Sequence, residues 1–175
     1  MDKRCDGLLD CPGDGSDENE CKIMILSKGY DEKYPSESEK NITSFISLEV
    51  YDIDDVDELH MSYTVNFKIQ LKWFDSRIIF RNLKPTDYDN ILDIADVEKI
   101  WAPKLYIAYS HQVEIEAGQK TEDSKGYVLV RRNGYPKENP LSEMDEDYLY
   151  PGNENPIIMF NYLTLKLGCK FDLKW

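Results

Sequence analysis

The sequence has no long apolar run. Its longest unbroken stretches, such as Ile23 to Leu26, hold about four residues, whereas a bilayer-spanning helix needs roughly twenty. Nothing in this chain therefore reads as a membrane crossing. Positive charge is also scarce: 21 Lys and Arg stand against 34 Asp and Glu, a net charge of -13. A nucleic-acid surface needs clustered cations, so that class of function is set aside. The histidines, His60 and His111, stand alone. With no Ser-His or paired-carboxylate arrangement beside them, a β-sandwich hydrolase is the weakest reading and no catalytic residue is assigned. The opening, Met1-Asp2-Lys3-Arg4-Cys5, lacks the apolar core of a secretory signal. Cysteine is sparse and unevenly placed, at 5, 11, 21 and 169, a poor fit to two self-contained bridges. Its use in the amino-terminal cluster points to an oxidising compartment.

What is present is aromatic. Twelve Tyr, six Phe and three Trp are too many for a disordered chain. From Tyr63 to Trp73 the odd positions Tyr63, Val65, Phe67, Ile69, Leu71 and Trp73 are apolar, and the even ones Thr64, Asn66, Lys68, Gln70 and Lys72 are polar. Strict alternation predicts a strand with one buried and one wet face. A second long strand is expected near the end. There Ile157, Met159, Leu163, Leu165 and Leu167 share one face, interrupted by Asn161, with Ile158, Phe160, Tyr162, Thr164 and Lys166 on the other. Ile42 to Tyr51, Arg77 to Phe80, Lys104 to Tyr109 and Tyr127 to Arg132 read as shorter strands.

Strands joined by polar turns, with no sustained helical period, predict a mainly β protein, an antiparallel sandwich. The segment between Asn133 and Pro156 is rich in Pro and Gly and reads as an exposed irregular loop, with capping-box spacing at Ser142 and Asp145. Three regions are expected: residues 1–21, too poor in apolar residues to bury a core; a linker or short helix over 22–40; and the main domain over 41–175. Asn41-Ile42-Thr43 is a glycosylation sequon, meaningful only if the chain is secreted.

In CDGLLDCPGDGSDENEC, residues 5–21, carboxylates recur on a glycine-bent, cysteine-pinned backbone, a way for a small loop to wrap oxygens around Ca²⁺. The string resembles the second half of a low-density-lipoprotein receptor class A module, with one extra residue between Cys11 and Asp14. The resemblance implies Ca²⁺ ligation by the side chains of Asp6, Asp10, Asp17 and Glu18 and the backbone carbonyls of Lys3 and Leu8. It also implies a Cys5–Cys21 bridge, with the partner of Cys11 outside the chain.

Four strings further on occur in a characteristic order. VYDIDDVDE leads into YTVNFKIQLKWFDSRI, then IWAPKLYI, then LTLKLGCKFDLKW. Together they resemble the extracellular domain of pentameric, Cys-loop neurotransmitter-gated ion channels, up to the opening of the Cys-loop. The fold this implies is an immunoglobulin-like β-sandwich, incomplete here, with Cys169 bridging a cysteine beyond Trp175.

Taken alone, Trp101 and Pro103 bracket a turn, and Tyr106 is as well explained as a packed sheet residue as by a ligand role. The resemblance implies that Tyr106 belongs to an aromatic agonist box on one subunit. It implies that Lys68, Gln70 and Phe160 face the agonist from the neighbouring subunit. The family's usual aromatic and arginine are replaced at 68 and 70, so the fork that holds a ligand carboxylate is missing. At the base of the domain, Asp57, Glu58 and Leu59 would couple agonist binding to the pore. Composition alone reads the run Asp52 to Glu58 as a solvated turn.

The implied function is a channel subunit at the extracellular face of the plasma membrane, gated by a small-molecule agonist. It would assemble with other subunits as a pentamer and meet the membrane only through a portion beyond this chain. The alternative is a secreted, pore-less binding protein of the same fold.

Overall fold

The computed structural model describes residues 13, 23–35, 43–107, 113–115, 125–138 and 148–168. The expectations placed on Asn41, the four cysteines, the Ca²⁺ ligand set, His111 and the Ser142 turn lie outside these residues. At positions 106–107, 113–115, 125 and 137–138 the backbone alone is described.

The strands are β1 (Met24–Leu26), β2 (Phe45–Asp57), β3 (Ser62–Trp73), β4 (Ile78–Arg81), β5 (Leu105–Ile107), β6 (Val113–Ile115), β7 (Lys125–Val130), β8 (Lys137–Glu138), β9 (Tyr148–Pro151) and β10 (Ile157–Gly168). A 3₁₀ turn at Asp87–Asn90 and one helical turn at Ile94–Val97 complete the set. Two four-stranded sheets, ordered β1-β4-β9-β8 and β2-β3-β10-β7, and a β5-β6 ribbon carry the fold, and every pairing is antiparallel. The expected mainly β sandwich architecture is what the chain adopts.

The alternation in β3 does what it predicts. Val65, Phe67, Ile69, Leu71 and Trp73 are buried, while Lys68, Gln70 and Lys72 stay partly exposed. β10 pairs with β3 along its whole length, placing Ile157, Met159 and Leu165 opposite Trp73, Leu71 and Val65. These residues join Met24, Ile78, Phe80 and Tyr150 of the other sheet in one core. At about 25 cal/mol per Å² of apolar surface, burial of this kind is the main favourable term. Asn161 lies on the core side of β10, 2% exposed. Its neighbour across the ladder is Gly126, where a Cβ would sit 2.5 Å from the Asn161 Oδ1. The glycine makes room for the amide.

Three expectations need correction. Residues 24–26, read within a linker or short helix, form β1, paired to β4 with Met24 opposite Phe80. Too short to show a period, Ile23 to Leu26 was legible only as an apolar run. The 133–156 segment is not an exposed irregular loop throughout. Its ends form the β8-β9 hairpin edge of a sheet, Tyr150 is 2% exposed, and Asn155 is fully buried. The Asn155 Oδ1 accepts the N–H groups of Asn133 and Gly134, and its Nδ2 donates to the Pro151 carbonyl. One side-chain amide thus satisfies backbone groups that a purely solvated loop would leave to water. Finally, the acidic run is mostly strand. β2 extends to Asp57, with register shifts after Val50 and after Asp54, so the turn proper is Glu58 to Met61.

Among the described residues β2 stands at the edge of its sheet. Ile46, Leu48, Val50 and Ile53 lie opposite the core-facing residues of β3, yet they are 51–60% exposed. Among the described residues no layer covers them.

Candidate functional site

Two regions carry the residues singled out from the sequence, one at the tip of the β2-β3 hairpin and one on the polar face of the β2-β3-β10-β7 sheet.

At the tip, the Asp57 Oδ1 accepts the backbone N–H groups of Leu59 and His60, each at 3.0 Å, and its Oδ2 lies 2.6 Å from the His60 Nδ1. These donors, the His60 N–H first, hold the Asp57 carboxyl below the usual carboxylate range. The side chain that looked like one more solvated acid is the turn's internal brace. Beyond it Glu58 is exposed and Leu59 is 92% exposed, an apolar residue held out at the apex. Below the turn a cavity of about 340 Å³ opens between Ile53, Val56, Asp57, Glu58, Met61, Ser62 and Tyr63. His60, read as incidental, is part of the brace.

The polar sheet face gathers Lys68, Gln70 and Phe160. Phe160 sits directly opposite Gln70, and Tyr162 opposite Lys68. Around them stand aromatics that alternation could have flagged, because they occupy the polar register of their strands. Tyr127 stacks on Phe160 with centroids 4.9 Å apart, and Tyr88 of the 3₁₀ turn approaches Tyr127 at 6.3 Å. Tyr51, which shares the parity of Glu49 on β2, stacks on Tyr162 at 6.3 Å and 10°. Burial, with Tyr88 next, raises the Tyr127 phenol to about 12. Lys68 does not stand free. Its ammonium lies 2.5 Å from the Glu49 carboxylate and over the Tyr51 ring at 5.8 Å, and these partners hold it above the usual lysine range.

Tyr106 is elsewhere in the topology, in the β5-β6 ribbon opposite Glu114. No strand pairing among the described residues joins that ribbon to the Lys68–Phe160 face. The structure therefore brings three of the four expected ligand residues onto one surface and leaves the fourth on a different element.

Asp75 and Arg77 of the Trp-x-Asp-x-Arg string form a structural clamp. The guanidinium meets the nearly buried carboxylate through Nε at 2.9 Å and Nη2 at 2.7 Å, and its Nη1 donates to the carbonyls of Asp31 and Tyr34. Arg77 also lies 4.1 Å from the Tyr30 ring. The Tyr30 hydroxyl donates to the Asp75 Oδ2 at 2.9 Å and accepts the Trp101 N–H at 2.8 Å. Burial pushes that phenol well above its usual value. The clamp therefore ties residues 30–34, the end of β3 and the Trp-x-Pro turn together.

Residues 17–135, which include the hairpin tip, Lys68, Gln70, the clamp and Tyr106, match the sequence profile of the neurotransmitter-gated ion-channel ligand-binding domain. The chain belongs to this family. A relative, the gamma-aminobutyric acid receptor subunit beta-4 of Gallus gallus, is 29% identical over 82 residues, covering 46% of this chain and 16% of the relative. The chain thus corresponds to a small part of that receptor subunit's length.

Within a neurotransmitter-gated ion-channel ligand-binding domain, the two regions occupy opposite ends of the β3 strand, one at its first residues and one towards its last. Phe160, Tyr162 and the rest of β10 lie beyond the matched residues, so their place beside Lys68 and Gln70 comes from strand pairing.

Proposed function

We propose that this chain is the amino-terminal part of the agonist-reading extracellular domain of a pentameric channel subunit, and that it couples binding of a small-molecule agonist to pore gating. The observation that carries the reading is the joining of Lys68, Gln70 and Phe160 in one aromatic-rich surface on one antiparallel sheet. That surface supplies π faces and an amide to a ligand held against a neighbouring subunit, where a ring attracts an ammonium within about 6 Å. Tyr106 belongs to the opposite, principal side of the same boundary. Asp57, Glu58 and Leu59 form the coupling element, because a braced turn with an exposed apolar tip can pass on a rigid displacement of β2 and β3.

The transcript downstream of the Trp175 codon tests the reading first. Four apolar segments of about twenty residues each are expected, and a stop shortly after the sandwich would instead give a secreted binding protein. In the full-length subunit expressed in oocytes, Leu59→Asp should shift the agonist concentration-response curve at unchanged surface expression. An unaltered curve would remove the coupling role. The resemblance at residues 5–21 extends the proposal to a Ca²⁺ site at Asp6, Asp10, Asp17 and Glu18, with the carbonyls of Lys3 and Leu8. Calorimetric titration with Ca²⁺ tests that site independently.

A further inference from the structure

Tyr148 brings together features that are separate at the other exposed tyrosines of the described residues. It opens β9 and is 42% exposed. The five residues before it, Glu143-Met144-Asp145-Glu146-Asp147, carry four carboxylates, and Glu138 stands opposite it on β8. No Lys or Arg interrupts the sequence from Glu138 to Leu165. Tyr148 also borders a cavity of about 220 Å³ that Lys84 and Arg132 line, with no carboxylate among the described lining residues. The backbone of Lys84 is held by Asn90, whose Oδ1 accepts its N–H at 2.8 Å and whose Nδ2 donates to its carbonyl at 2.9 Å. Arg132 lies over the Tyr150 ring at 5.1 Å and donates through Nη1 to the Leu83 carbonyl, one use of a fork of five donors. Asn82 ties the two sides together, donating its N–H to the Tyr148 carbonyl at 2.9 Å and accepting the Tyr148 N–H at 3.0 Å. Elsewhere the combination breaks down. Tyr34 and Tyr135 have no adjacent acid, Tyr51 is stacked on Tyr162, and Tyr88 lies between Asp87 and Asp89, the first of which is paired with Arg131 at 2.7 Å.

Resting on the reading of this domain as extracellular, we propose that Tyr148 is a sulfation site: its phenol takes a sulfuryl group in the secretory pathway, and the sulfate ester is held by Lys84 and Arg132. The step balances without any change of oxidation state. The phenol oxygen attacks the sulfur of a nucleotide phosphosulfate, an oxygen–sulfur bond forms as the one to the phosphate breaks, the nucleotide phosphate leaves, and the phenolic proton passes to the transferase. An enzyme that binds so anionic a donor presents a cationic cleft, and the acids before Tyr148 steer the chain into it. Once made, the ester is an anion with three acceptor oxygens beside two cations, an arrangement that forms charge-assisted hydrogen bonds.

The test is to secrete the chain from cultured animal cells behind a cleavable leader and weigh it intact. A mass gain of one sulfuryl group is expected, resistant to phosphatase, absent when chlorate blocks synthesis of the donor, and absent in Tyr148→Phe. That substitution removes one exposed oxygen, so far-UV circular dichroism should match wild type. Replacing Asp145, Glu146 and Asp147 with their amides should lower the modified fraction severalfold. The sulfated chain should melt a few degrees above the chain from chlorate-treated cells, and Lys84→Gln with Arg132→Gln should erase that difference while leaving the mass gain. A secreted chain without the gain, a gain that survives Tyr148→Phe, or one removed by phosphatase overturns the site. Equal melting of the sulfated and unsulfated wild type overturns the holding by Lys84 and Arg132. The channel reading is decided separately, by the downstream transcript, whichever result the mass gives.

Discussion

Replacing Tyr30 with Phe removes one oxygen atom, and the structure predicts that this oxygen holds three parts of the chain together. The hydroxyl donates to the Asp75 carboxylate at 2.9 Å and accepts the Trp101 N–H at 2.8 Å. Asp75 is 3% exposed and is shared with Arg77. A hydrogen bond to a charged group is worth about 1.5–3 kcal/mol, and an unsatisfied, partly buried N–H adds to its loss. The phenylalanine ring keeps the packing and the contact with the Arg77 guanidinium, so cavity terms are negligible. The expected loss is therefore about 2–3 kcal/mol, seen as a fall in Tm of roughly 5–10 °C for a chain of this size. Urea unfolding followed by far-UV circular dichroism gives the free energy, and a double-mutant cycle with Asp75→Asn isolates the shared term. Residues in one network couple by about 0.5–3 kcal/mol. A change below about 0.5 kcal/mol for Tyr30→Phe, or strict additivity with Asp75→Asn, would refute the clamp and return residues 30–34 to the status of a linker.

Gly152→Ala should destabilise by about 1–3 kcal/mol, because a Cβ there would overlap the Asp75 carbonyl and lie 2.8 Å from the Ile78 carbonyl. Urea unfolding checks this, and wild-type stability would contradict the packing. Ile69→Asp should abolish cooperative unfolding and Gln70→Asp should cost less than about 1 kcal/mol, since Ile69 is 2% exposed and its neighbour faces outward. The opposite ranking would mean that the strand register is shifted by one residue. The Tyr127 phenol, raised to about 12 by burial, favours the protonated form in the folded state. Its contribution is present in full below the ordinary tyrosine value near 10 and is lost as pH rises towards 12. Tyr127→Phe should therefore remove one late-ionising phenol from an alkaline absorbance titration and flatten the fall in stability over that window, and an unchanged titration would show that Tyr127 ionises with the exposed tyrosines.

How much of the site was legible depends on the residue. Lys68, Gln70 and Phe160 could be placed on the polar face because they sit in strands with a visible period of two. The aromatic surface around them was not assembled from the sequence, although Tyr127 and Tyr162 carried the same signal in the polar register. Tyr51 shares the parity of Glu49 and carried that signal too, but beyond it the face could not be read on, because the bulge after Val50 shifts the parity and sets Asp52 opposite Asn66 and Ile53 opposite Val65. Asp57 read as one acid in a solvated run, since nothing in composition distinguishes a brace from a neighbour.

By itself the sequence determined the class of the fold, the two long strands with their buried faces, and the family, because alternation and local motifs are properties of consecutive residues. Only the tertiary structure decided which strands are neighbours. It set β10 between β3 and β7, gave the three residues of β1 to β4, and drew the ends of a proline-rich segment into a sheet edge. It also closed the Tyr30–Asp75–Arg77 clamp and bound Lys68 to Glu49 across a ladder. The physical reason is the same in each case: pairing and hydrogen bonding between residues distant in sequence depend on which backbone edges and buried polar groups need partners, and short segments carry too few residues for any period to announce it.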